Sequence, residues 1–222
     1  MASSVLFVVM TIFAAILLFV ASLMASISAT DAFNSTLYNN DARIRSAHQY
    51  LTIAAALGWS ALVVLIVVLI VAAVSGGFTT VEVSEALLVK NNPTRGDLIA
   101  AYRGEKELSA GHTTQIIVLI ILIIVAIIAF IVGVLATIGA IQLSEMTQQD
   151  DKSRVAYTYA IIAAASGIGG IGIMMIAIIV YIGIRSARAK QLAELEVFER
   201  RTEQILGVTP AETTSTLTQT AV

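Results

Sequence analysis

The sequence predicts an all-α membrane protein with four transmembrane helices arranged as two parallel-repeat hairpins, plus a C-terminal amphipathic helix. Three observations lead there. Residues 1–30, 46–81, 108–144 and 155–184 contain no Asp, Glu, Lys or Arg, and about 20 apolar residues of helix cross a bilayer core. Hydrophobic residues make up 58% of the 222, while charged residues make up 13%, about half the share of a soluble domain. The two halves also resemble each other at an offset of about 109 residues.

The first span covers roughly residues 4–28. A cleavable leader is its competitor, because Ala25-Ser26-Ile27-Ser28-Ala29 offers small residues for cleavage. No Lys or Arg precedes the apolar run, which is also long for a leader core, so a retained span is expected. The second, third and fourth spans fall near 50–75, 115–143 and 157–184. Their many β-branched residues would suit strands in water. In lipid each span must satisfy its own backbone hydrogen bonds, which favours helices.

The repeat orders the spans. Asn40-Asp41-Ala42-Arg43-Ile44-Arg45 falls against Gln149-Asp150-Asp151-Lys152-Ser153-Arg154. Tyr50 then meets Tyr159, Ala54-Ala55-Ala56 meets Ala163-Ala164-Ala165, and Gly58 meets Gly167. Two spans separate the starts of the repeats, so both take the same membrane orientation about an axis along the bilayer normal. The divisions that follow are a first hairpin (1–75), a central cap (76–114), a second hairpin (115–184), a C-terminal helix (185–206) and a Thr-rich tail (207–222). The turns, 29–49 and 144–156, share one side. Lys90, Arg95, Arg103, Lys106, Arg185, Arg188, Lys190, Arg200 and Arg201 fall on the other, against Arg43, Arg45, Lys152 and Arg154 on the turn side. That bias places both termini in the cytosol. Asn34-Ser35-Thr36 is a glycosylation sequon in the first turn.

Small residues mark helix packing. Ala54, Ala55, Ala56 and Gly58 in the second span, and Ser166, Gly167 and Gly170 in the fourth, have little bulk and let backbones approach. Ser166 and Gly170 form a small-x-x-x-small pair that could join copies of the chain or pack within it. Trp59 is expected to pack inside the bundle. Tyr50, Tyr157 and Tyr159 suit one headgroup layer and Tyr181 the other. In the central cap, 81–89 and 97–102 are expected as short helices, broken at Asn91-Asn92-Pro93 and punctuated by Gly96 and Gly104. Helix then continues beyond the fourth span to about Leu206, with Gly207 as C-cap. Leu195, Phe198 and Ile205 supply its apolar, partner-binding face. Thr220-Ala221-Val222 ends the chain in a pattern suited to carboxylate capture with strand addition.

Function classes narrow by chemistry. Cysteine is absent, which excludes disulfides, thiolate zinc sites and cysteine nucleophiles. Basic residues are sparse and scattered, unlike a nucleic-acid interface. His48 and His112, the two histidines, lie on opposite sides and suit interfacial polar roles. Asp150-Asp151 could attract a cation, but no calcium-loop spacing follows, so a solvated turn is expected. No catalytic, cofactor-binding or metal-binding residues are expected, and no charge inside a span suggests a proton or ion relay. The reading is a non-enzymatic structural or assembly component of a membrane complex, in a cellular or a virion membrane. Its partners would be membrane lipids and other proteins or copies of itself. The alternative is a small-solute or ion pore or transporter built from the hairpins.

Overall fold

The computed structural model describes residues 2–74, 94–146 and 148–206. These form four helices, α1 (Ala2–Phe33), α2 (Ala42–Val74), α3 (Arg95–Ser144) and α4 (Asp151–Leu206). Each contains a stretch long and apolar enough to cross a membrane: Val5–Phe33, Ala42–Ala73, Gln115–Ser144 and Asp151–Ile205. The protein is an integral, multi-pass, all-α membrane protein.

Helix boundaries differ from expectation in two places. The turns are shorter, covering 34–41 and 145–150, because the polar ends of the spans continue as helix. Gly104 does not punctuate the central segment, and α3 runs unbroken from Arg95 through it. One glycine costs a helix about 1 kcal/mol relative to alanine, and the flanking Ala, Leu, Glu and Lys are good helix formers. The start of α3 is fixed by a reciprocal cap. Thr94 N–H and Oγ1 donate to Asp97 Oδ2 at 2.8 and 2.7 Å, and Asp97 N–H points back to Thr94 Oγ1 at 3.4 Å. The C-terminal helix is not a separate element, since α4 continues to Leu206 as one helix. The expected helix at 81–89, the Gly207 cap, the Thr-rich tail and both chain ends lie outside the described residues, as does the side chain of His112.

The chain forms two compact units. The first comprises residues 2–71 and 118–181. Its buried positions follow a seven-residue spacing: Phe7, Ala14, Ala21 and Ser28 from α1, continuing to Ser35 in the turn; Ile44, Leu51, Gly58 and Leu65 from α2; Val118, Val125, Val132 and Gly139 from α3, continuing to Met146 in the turn; Ser153, Ala160, Gly167, Met174 and Tyr181 from α4. Such spacing is the signature of left-handed packing, with each inward side chain seated among four from its neighbour. Much of this core is alanine, including Ala21, Ala25, Ala54, Ala136, Ala160 and Ala163. In lipid the tails are as apolar as the core, so close van der Waals packing between small residues holds helices together. The outward positions carry the bulk, such as Val63, Ile70, Ile127 and Ile179, and suit lipid contact.

In the second unit, residues 72–74, 94–117 and 182–206 are described. Here the seven-residue spacing in α4 takes in Arg188, Leu195 and Thr202, all buried, and Ala101 of α3 is buried as well. Thr202 Oγ1 donates to the Phe198 carbonyl at 2.8 Å, which satisfies its hydroxyl within the helix. On the exposed face Arg200 meets Glu196 at 2.6 Å, one turn apart.

Candidate functional site

The candidate site is the set of contacts by which the four helices of the first unit close on one another. Within the α1–α2 pair, a Cβ on Gly58 would overlap the Ser22 hydroxyl and stand 3.1 Å from Ser22 Cβ. Within the α3–α4 pair, a Cβ on Gly167 would stand 2.9 Å from Gly133 Cα. Gly167 is therefore required by backbone approach, and Gly58 by the close fit of the Ser22 side chain. Between pairs, Ser28 Oγ of α1 donates to the Ala156 carbonyl of α4 at 2.6 Å. A Cβ on Gly139 of α3 would stand 2.9 Å from Leu51 Cγ of α2. The ring is thus α1–α2–α3–α4, closing back on α1.

The turn end of the ring is polar and carries most of the hydrogen bonding between pairs. Asp150 precedes α4 and caps it, its Oδ1 accepting from the Ser153 N–H at 2.8 Å. The same carboxylate reaches across to the first turn. It accepts from the Ser35 hydroxyl at 2.9 Å and from both the N–H and hydroxyl of Thr36 at 2.9 Å. Partial burial pushes the Asp150 pKa up, but the hydrogen bonds from Ser153, Thr36 and Ser35 outweigh it and hold the carboxyl well below its usual range. The donors converge on the anion, so the carboxylate is a latch between turns rather than part of the solvated turn that the sequence predicts. Two basic side chains add to this end. Lys152 of α4 pairs with Asp31 of α1 at 3.1 Å, and the Arg43 guanidinium of α2 donates to the Glu145 carbonyl after α3. His48 joins the α1–α2 pair through a hydrogen bond between Nδ1 and the Ala29 carbonyl at 2.9 Å. Its ring lies 5.5 Å from both Phe33 and Tyr38.

Of the residues expected at packing positions, Ala54, Ala55, Gly58, Gly167 and Gly170 are buried, Ser166 is half-buried and Ala56 is exposed. A Cβ on Gly170 would lie 3.6 Å from Leu17 Cβ, so this glycine packs on α1 of the same chain. Leu195 and Phe198 are buried within the chain, whereas Ile205 is 54% exposed, so these three do not share an open face. Trp59 does not enter the core. It follows inward-facing Gly58 by one position, about 100° around the helix, and lies on the outer surface. There it donates from Nε1 to Ser26 Oγ at 3.2 Å and meets Phe19 edge-on. Tyr181 is not an interfacial anchor but a buried residue packed 4.9 Å from Phe7.

Sequence reasoning missed Ser22, Gly133, Gly139, and the latch of Ser35 and Thr36 on Asp150. A signal for the first three did exist. Buried positions of α2 recur in α4 109 residues on, as in Ile44 and Ser153, Leu51 and Ala160, or Leu65 and Met174. Those of α1 recur in α3 111 residues on, as in Phe7 and Val118, Ala25 and Ala136, or Ala29 and Ala140. The second turn, 145–150, is two residues shorter than the first, 34–41, which accounts for the change of offset. No group of three or more His, Cys, Asp or Glu suited to a metal occurs among the described residues. Comparison with protein-family profiles, with curated proteins and with solved structures returned no match.

Proposed function

We propose that the protein is a non-enzymatic structural or assembly component of a membrane complex, built from two duplicated hairpins in parallel orientation with both termini in the cytosol. The observation that carries the reading is the close packing of the helices in the first unit. Its helices meet through Ala, Gly and Ser at contact distance. The buried hydroxyls of Thr11, Ser22 and Ser28 are all spent on backbone carbonyls. A conduction path needs polar groups that replace an ion's hydration, and these hydroxyls are spent within α1, for Thr11 and Ser22, or on holding α1 to α4, for Ser28. Duplication is supported by paired contacts at matching positions, Gly58 on Ser22 with Gly167 on Gly133, and by the matching residues Arg43 and Lys152, each of which reaches from the start of one helix pair's second helix to the other pair.

An assembly protein presents its outside to partners, and the outward positions of the first unit are apolar, as at Val63, Ile70, Ile127 and Ile179. The test is cross-linking of the full chain in its native membrane, followed by sizing in mild detergent. A discrete species larger than the monomer, containing either further copies or a fixed partner, is the expected result. A chain that remains monomeric and uncross-linked at all labelled positions would overturn the reading.

A further inference from the structure

We propose that Arg45 and Arg154 each bind the phosphate of a phospholipid headgroup at the turn-side face of the bilayer. The inference does not depend on the assembly role. It starts from where the two residues stand. Arg45 is the last charged residue before the charge-free run 46–81, and Arg154 the last before 155–184. Each lies three residues into its helix, α2 or α4. Both are therefore at the boundary between hydrocarbon and headgroups.

Of the charged residues around them, four are occupied elsewhere, while Asp151, three residues before Arg154, is exposed. Arg43 is bound to the Glu145 carbonyl, Lys152 to Asp31, and the carboxylates of Asp41 and Asp150 to helix N–H groups. Arg45 and Arg154 are exposed, and neither guanidinium has a hydrogen-bond or ion-pair partner among the described residues. A guanidinium stays charged in a protein and presents five donors in a planar fork that matches phosphate. At this depth the acceptor that the bilayer supplies is the lipid phosphate. Arg45 and Arg154 stand at the same position of α2 and α4, four residues after the capping Asp41 and Asp150. The ring therefore offers two equivalent lipid positions, on non-adjacent helices.

The experiment follows the unfolding midpoint of the full chain in mild detergent during titration with dihexanoyl phosphatidylglycerol, inorganic phosphate or dihexanoylglycerol. Phosphatidylglycerol should raise the midpoint saturably by about 2–4 °C. Arg45→Gln and Arg154→Gln should each remove about half of the rise and together all of it, with the lipid-free midpoint unchanged. A rise that survives the double substitution overturns the proposal. An equal rise with inorganic phosphate would mean a free-anion site, and an equal rise with dihexanoylglycerol an effect of acyl chains; either result rejects the headgroup. A lower lipid-free midpoint in the double variant would assign the arginines to the fold instead and would also overturn it.

Discussion

Asp150 and Ser35 are 115 residues apart in sequence, yet the Ser35 hydroxyl donates to the Asp150 carboxylate at 2.9 Å. With Thr36 they tie the turn of one helix pair to the turn of the other, while Asp150 also caps α4. Asp41, the corresponding cap of α2, accepts from the Arg43 N–H at 2.8 Å. No bond from Asp41 to the opposite turn occurs among the described residues. The two turns are therefore alike in capping and unlike in latching.

Asp150→Ala should destabilise the protein by more than Asp41→Ala. A lost cap costs about 0.5–2 kcal/mol, and the donors of Ser35 and Thr36 lose their partner in addition. Unfolding of both variants in mild detergent checks the order. Equal losses would mean that the latch contributes nothing beyond the cap.

The latch also predicts an acid dependence. Hydrogen bonds hold the folded Asp150 pKa below its unfolded value, which is near 3.9. Its stabilisation is then complete above that value and declines as pH falls below it toward the folded pKa. The stability gap between the protein and Asp150→Asn should be constant from about pH 7 to pH 5 and narrow below about pH 4. A gap that widens on acidification would contradict the assignment.

Gly58→Leu and Gly167→Leu should each cost about 1–3 kcal/mol, the range for overpacking a closed core. Gly172→Ala should be close to neutral, because no atom lies within 4 Å of its added Cβ. Gly170→Leu should fall between them, as Leu17 lies at ordinary contact distance. Unfolding midpoints of the four variants give the ranking, and a Gly172→Ala loss as large as that of Gly167→Leu would refute it.

Burial of Leu195 and Phe198 separates stability from partner binding in α4. Leu195→Ala should destabilise by about 2–5 kcal/mol, as for other buried leucines. Ile205→Ser leaves the buried face alone, so any loss of native cross-links in that variant reports on a partner. If Leu195→Ala leaves the unfolding midpoint unchanged, its burial contributes nothing to the fold.

Much of the architecture was legible because lipid makes demands on every residue of a span. The four charge-free runs, the alanine triplets and the Gly58–Gly167 match all express that demand directly. The α1–α3 match was hidden by the shorter second turn, which moves its offset from 109 to 111 residues. It was hidden further by substitutions such as Ser22 for Gly133, which preserve small volume rather than identity. The continuity of α3 through Gly104 was missed because a local penalty was given more weight than the helix-forming residues around it. Trp59 and Tyr181 exchanged their expected places because residue type suggests a depth, whereas position in the seven-residue pattern decides the face. The Asp150 latch is a tertiary contact between two turns, and neither turn alone encodes it.

The claim that this ring is a packed structural unit is tested most directly by flux. The full chain, reconstituted in liposomes at known copy number, should pass ions and small uncharged solutes at the rate of protein-free vesicles. Robust, selective flux that scales with protein copy number would contradict the account and put a pore in its place.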